Sequence, residues 1–267
     1  MLDKMILGRY VPMNSLLHKM DPRAKLILVF FFVCIIFLAD NWKAYTVVGI
    51  FTISLIILSK IPFGFLYNGL KPIFFLIIFT FLLQIFFNKE GAILYKFSWI
   101  EIHEEGLRQG IFISLRFTFL ILVTSLLTLT TTPISITDGM EELLNPLKRW
   151  KLPVHELALM MSISLRFIPT LMEETDKIMK AQTARGVDFS SGPIKNRIKA
   201  IVPLLVPLFV SSFKRAEELA IAMEARGYRG GEGRTKYRQL KWQAIDSLLL
   251  LALFVLTIIL IYLRYWA

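Results

Sequence analysis

Two short runs in this chain have the residue types and spacing of a docking device. Ala184-Arg185-Gly186 recurs as Ala225-Arg226-Gly227, 41 residues later. The same slide pairs Ala181 with Ala222 and Asp176 with Glu217, and sets Glu173-Glu174 on Lys214-Arg215. Arginine stays charged and offers five N–H donors in a planar fork. Its chemistry here is binding to carboxylate or carbonyl oxygens, not proton transfer or nucleophilic attack. A glycine after each arginine is a helix stop, so each Arg would stand at the tip of a rod. Capping alone explains one such end, because a cation suits the negative end of the helix dipole. Two matching ends on neighbouring helices favour two similar sockets on a partner.

The other reactive side chains do not converge on a site. No G-x-x-x-x-G-K-[ST] occurs. The run Gly230-Gly231-Glu232-Gly233-Arg234-Thr235-Lys236 lacks the order that cradles phosphate and reads as a flexible link to the last apolar segment. The chain is therefore expected to hydrolyse no ATP by itself, and its energy comes from a partner or an ion gradient. His18, His103 and His155 are far apart, and Cys34 stands alone in an apolar run, where packing is its expected role. No His/Cys/acid cluster has metal-ligand spacing, and Glu101, Glu104 and Glu105 read as a solvated face. No catalytic residue and no metal site is expected. Arg116 lies inside an apolar segment, where snorkelling explains it as well as a buried ion pair does. Asp246 reads as a helix cap rather than a proton carrier.

The elements that position these residues follow from composition. Of 267 residues, 55% are hydrophobic and only 19% charged, with 22 Phe and a single Cys. Soluble domains run nearer ~45–50% and ~25%. Disorder, a disulfide scaffold and an ordinary cytosolic enzyme are excluded. Five apolar stretches stand out: 26–39, 44–58, 72–87, 111–130 and 247–263. The first three are short for a ~30 Å hydrocarbon core, so flanking residues must extend them or some are partly re-entrant. A cleaved signal peptide is not expected, since the first run begins late and no A-x-A-like site follows it.

The net charge of +11 reads as positive-inside bias rather than nucleic-acid binding. Lys4, Arg9, Lys19, Arg23 and Lys25 precede the first stretch, and 131–244 holds 18 Lys/Arg against 12 acids. The 88–110 loop holds three basic residues against four acids. Alternation then puts the N-terminus and 131–244 in the cytoplasm and 88–110 outside. The expected organisation is a four-span membrane domain over 1–132, a helical coupling segment over 133–242, and a final span over 243–267. The fold class is all-α and polytopic, with about five transmembrane helices.

Within the coupling segment, Thr137 or Asp138 can cap a short helix running to Leu144. A second helix starts near Pro153 and runs to Arg185, with Pro169 a kink. A third runs from near Pro193 to Arg226, with Pro203 and Pro207 bending its first half. The stripe Met160, Met161, Leu165, Ile168 and Met172 can meet another membrane protein or be buried against the chain's own spans. Ser212, Ala216 and Ala220 repeat every four residues and allow a close helix crossing. Glu173 or Glu174 can pair there with Lys214 or Arg215.

The N-terminal run Tyr10-Val11-Pro12-Met13-Asn14-Ser15-Leu16-Leu17-His18-Lys19-Met20-Asp21-Pro22-Arg23-Ala24-Lys25-Leu26 resembles a motif of the T component of energy-coupling factor transporters, the CbiQ-like family. The two Ala-Arg-Gly ends resemble that family's coupling-helix motifs, and the order of elements is similar along nearly the whole chain. Met20 departs from the Leu common before Asp-Pro-Arg. The resemblance implies a non-catalytic subunit of a vitamin-uptake ABC importer. Its implied partners are two similar or identical ABC ATPases, a small membrane substrate-binding S component and the lipid bilayer, with no nucleic acid. ATP and Mg would sit on the ATPases, with no cofactor in this chain. Read physically, Asp21 caps the first helix and Pro22 takes its first position, which gives this motif a structural role. A stand-alone secondary transporter would want intramembrane acids, and the first four apolar stretches hold none. A membrane-embedded enzyme would want an acid/His constellation, and none is present.

Overall fold

A computed structural model describes residues 10–97, 100–150, 153–189, 194–230 and 239–266. Among them are nine α-helices and one hairpin. The helices are α1 (Leu16–Lys19), α2 (Pro22–Ile35), α3 (Trp42–Ser59), α4 (Phe63–Phe87), α5 (Glu104–Thr130), α6 (Pro133–Leu144), α7 (Val154–Ala184), α8 (Ile194–Ala225) and α9 (Ala244–Trp266). The chain is an all-α polytopic membrane protein. Pro193, Gly231 to Lys236, and Lys4 and Arg9 of the charge count lie outside the described residues.

Flanking residues lengthen most of the short apolar runs. α4 begins at Phe63 and carries Pro72 in its interior; α5 begins at Glu104. α2 is the exception. It stops at Ile35, continues as a 3₁₀ turn over Ile36–Leu38, and spans only ~21 Å. Among the described residues, five helices are long and apolar enough to cross a membrane: α3, α4, α5, α7 and α9. α2 is too short to be one of them, and α7 qualifies by length and composition. The 88–110 loop, read only as charged, forms an antiparallel hairpin of β1 (Ile93–Phe97) and β2 (Ile100–His103). α6 starts four residues before the expected cap: Thr132 Oγ1 accepts from the Ser135 N–H at 3.3 Å, and Pro133 suits the first turn. Thr137 instead donates its hydroxyl to Pro133 O at 3.1 Å.

Two compact units divide the chain. Of the described residues, one gathers those up to Glu142 and from Leu240 on; the other holds those between Leu143 and Gln239. In the first, α2, α3, α5 and α9 share a core of Leu28, Phe32, Val48, Leu55, Val123 and Leu253. On α2 the buried face is Ala24, Leu28, Phe32 and Ile35, which turns Cys34 outward; it is exposed rather than packed. α4 packs chiefly on α5. Hydrocarbon is as apolar as leucine, so close packing, not burial, must hold such helices together. Gly106 supplies it: a Cβ there would lie 2.8 Å from Asn88 O and 3.0 Å from Gln84 O.

Candidate functional site

Both Ala-Arg-Gly runs end their helices in the same way. Arg185 and Arg226 are the first residues past the helical run. Gly186 and Gly227 follow with φ of +89° and +73°. A Cβ on either would meet nothing within 4 Å, so the left-handed backbone, not crowding, selects glycine. Val187 N–H donates to Gln182 O at 3.0 Å and Gly186 N–H to Thr183 O at 2.9 Å. At the second end Tyr228 N–H donates to Met223 O at 3.0 Å and Gly227 N–H to Glu224 O at 2.8 Å. These are two Schellman caps in the same register. Their orphan carbonyls are closed by backbone N–H groups, which leaves both guanidinium groups free of the capping task. Ala184, Arg185, Ala225 and Arg226 are all exposed.

α7 and α8 run antiparallel. Gln182 Nε2 donates to Pro203 O at 3.4 Å, while Ser211 Oγ donates to Glu174 Oε1. Arg215 completes the second tie, its Nε and Nη2 reaching Glu174 Oε2 at 3.2 and 3.1 Å. Of the four pairings the sequence allowed, Glu174 with Arg215 is the one made. The antiparallel order points the Arg185 tip past Pro203 towards the start of α8, and puts the Arg226 tip level with Leu159 to Arg166 of α7. A groove of about 550 Å³ next to Arg226 is lined by Leu159, Ile163, Arg166, Tyr228 and Arg229. The two ends share a backbone, and the second has Arg166 and Arg229 beside it.

Ser212, Ala216 and Ala220 face α7 across a groove of about 480 Å³ lined also by Ser164, Ile168 and Leu171. Ala216 and Ala220 are exposed, so this stripe floors an opening, while Ser211 and Arg215 beside it make the polar contact. Met160 and Met161 are 54% and 42% exposed; Leu165, Ile168 and Met172 are half-buried. On α8 the exposed apolar residues include Val206, Phe209, Val210 and Phe213. Sequence reasoning missed Gln182 and Ser211. The four-residue spacing of Pro203 and Pro207 was the available signal for the first, because it strands a carbonyl that needs a donor.

The N-terminal motif folds as a clasp inside the other unit. Asp21 Oδ1 accepts from the Arg23 N–H at 2.8 Å, capping α2, and Arg23 returns a fork to both carboxylate oxygens at 3.1 and 2.9 Å. Asp246 is fully buried and accepts from Asp21 N at 2.9 Å and Gln243 N at 2.7 Å, joining the starts of α2 and α9. Its lone pairs are used in capping, as the sequence suggested. Lys25, 5% exposed, donates to Thr130 O and Thr131 Oγ1 at 3.0 and 2.9 Å. His18 Nε2 donates to Val11 O at 2.9 Å, and Nδ1 receives the Ser15 hydroxyl at 2.6 Å. Burial pushes this imidazole below its ordinary value, against the Val11 bond that raises it. Arg116 reaches Ala39 O at 3.2 Å and lies 3.9 Å from Asp40 Oδ1, a half-exposed tie.

A family of transporter proteins, CbiQ, described as cobalt transport protein, matches residues 13–237. The chain belongs to the CbiQ family. Both Arg tips, the α7–α8 ties and Asp21 with Arg23 fall inside the matched region. Similar full-length relatives carry the name energy-coupling factor transporter transmembrane protein EcfT. That of Bacillus subtilis is 67% identical over 264 residues, covering 99% of this chain and 100% of the relative. That of Macrococcus caseolyticus is 58% identical over 265 residues, with 99% and 100% covered. That of Listeria innocua is 57% identical over 264 residues, again with 99% and 100% covered.

Proposed function

We propose that this chain is the transmembrane coupling subunit of an energy-coupling factor importer for vitamins or other micronutrients. It transmits the motion of two ABC ATPases to a small membrane substrate-binding subunit, and ATP and Mg belong to the ATPases. The observation that carries this reading is the pair of identical caps, each presenting an exposed arginine, at opposite ends of one antiparallel helix pair. Two separated copies of one tip suit two similar sockets. Each guanidinium enters a groove on one ATPase and bonds carboxylate or carbonyl oxygens there. The exposed apolar residues Met160 and Met161, with Leu165, Ile168 and Met172, meet the substrate-binding subunit; methionine adapts to more than one partner surface. The N-terminus and the α7–α8 unit are cytoplasmic, on the lysine and arginine balance.

The double change Arg185→Glu with Arg226→Glu tests the assignment. Losing a charge-assisted contact at an interface costs ~2–5 kcal/mol, whereas an exposed charge at a helix end is worth ~0.3–1 kcal/mol. Uptake and co-purification of the ATPases should be lost while membrane insertion is kept. Normal uptake with both ATPases bound would remove these arginines from the coupling role. For orientation, single cysteines at Lys89 and Arg229, in a chain with Cys34 replaced, should differ: an impermeant thiol reagent added outside labels the first only.

A further inference from the structure

Proline leaves a specific defect in α8, and α7 repairs it. Pro207 has no N–H, so Pro203 O lacks its donor four residues on, and Pro203 does the same to Lys199 O. Gln182 Nε2 fills the place of the missing donor at Pro203 O. The backbone of the same residue is already engaged: Gln182 O accepts the Val187 and Arg185 N–H groups of the first Arg cap, both at 3.0 Å. One residue thus holds the Arg185 tip by its carbonyl and the weakened stretch of α8 by its amide.

The second tie lies on the far side of the prolines. Eight residues separate Glu174 from Gln182 on α7, and eight separate Pro203 from Ser211 on α8. Both steps are ~12 Å of helix. The unbroken α7 segment therefore bridges the proline-weakened α8 segment at two matched points, as a splint crosses a joint. The Arg226 tip lies beyond the joint and is held to α7 by the Glu174 tie alone, about which α7 and its Arg185 tip can turn unless the Gln182 tie gives a second fixed point.

We infer that Gln182 is a positioning residue that sets the spacing of the Arg185 and Arg226 tips by supplying the donor that Pro207 withholds from Pro203. This rests on the docking reading above and adds to it a mechanical element within the chain. With the tie made, α7 is fixed to α8 at two points, and a displacement of one tip is passed to the other. With the tie broken, α7 turns about the Glu174 tie and the displacement is lost there.

The test uses the full transporter complex in sealed proteoliposomes, Cys34 replaced by Ser, with spin labels on Thr183 and Glu224, both exposed and next to the tips. The distance distribution between labels and the substrate taken up per ATP hydrolysed are read together. Gln182→Leu should broaden the distribution and lower the uptake ratio, the loss of one hydrogen bond shifting the tied fraction about two- to tenfold. Gln182→Glu keeps the shape without the donor and should act alike, which carries the test if the Leu variant does not fold. Gln182→Lys restores a donor and should restore both readouts. An unchanged distribution in the Leu and Glu variants, or no rescue by Lys, overturns the proposal. Both ATPases should remain bound throughout, so failure here is distinct from failure of the arginine docking, which shows as their loss.

Discussion

The unit built on α2, α3, α5 and α9 and the unit built on α7 and α8 use charge in opposite ways. In the first, charged groups are buried and spent on backbone. Asp246 takes two N–H groups, Lys25 gives to Thr130 and Thr131, and Asp21 caps α2. In the second, the tip arginines Arg185 and Arg226 are exposed and freed from capping by backbone N–H groups that close the same carbonyls. Apolar residues divide similarly. Leu28, Phe32, Val123 and Leu253 interlock in the first unit, whereas Met160, Val206, Phe209 and Phe213 stand open in the second. A scaffold gains by satisfying every polar group internally, because a stranded buried donor costs ~1–3 kcal/mol. A part that works by contact keeps its donors and apolar faces for another molecule.

Substitutions can break this contrast, beginning with the most damaging. Asp246→Ala strands the N–H groups of Asp21 and Gln243 together, each costing ~1–3 kcal/mol. The α2–α9 pairing should be lost, seen as a large drop in the thermal midpoint of the purified protein; Asp246→Asn, which keeps one acceptor, should drop it less. Next, Gly106→Leu forces α4 from α5 at Asn88, an overpacking cost of ~1–3 kcal/mol that the same melt reports. Gly186→Ala and Gly227→Ala each impose a left-handed alanine, ~1–2 kcal/mol borne by one helix end. Hydrogen exchange should show faster amides at Val187 or Tyr228 with the global midpoint little changed. Smaller again, Ala216→Leu projects into the 480 Å³ groove. Its stability change should stay within ~0.5 kcal/mol, and a large loss would mean that the groove closes. Smallest is the Glu174–Arg215 pair, 21% and 39% exposed, for which a double-mutant cycle on stability should return ~0.2–1 kcal/mol.

What was legible in the sequence was local. Pro153 and the glycines after Arg185 and Arg226 bracket α7 and end α8, because caps and stops act within one turn. The Asp21-Pro22 start of α2 was legible for the same reason. Apolar runs gave α3, α5 and α9 to within about two turns, missed the start of α4 from Phe63 to Lys71, counted the short α2 as a span and passed over α7. The small-residue stripe on α8 lines the groove shared with α7, and Gly106 marks a close approach on another helix pair that spacing did not single out.

The sequence by itself determined the class of molecule, the two Arg-tipped rods and the capping of α2, since composition, proline and glycine act without reference to distant chain. Tertiary structure alone decided the rest. It chose Glu174 over Glu173, turned Cys34 outward, joined Asp246 to Asp21 across 225 positions and brought Gln182 to Pro203. The physical reason is rotation and register. A helix's own residues state that it forms, but which side faces a neighbour, and at what level, is set by packing against residues that lie far away in the chain.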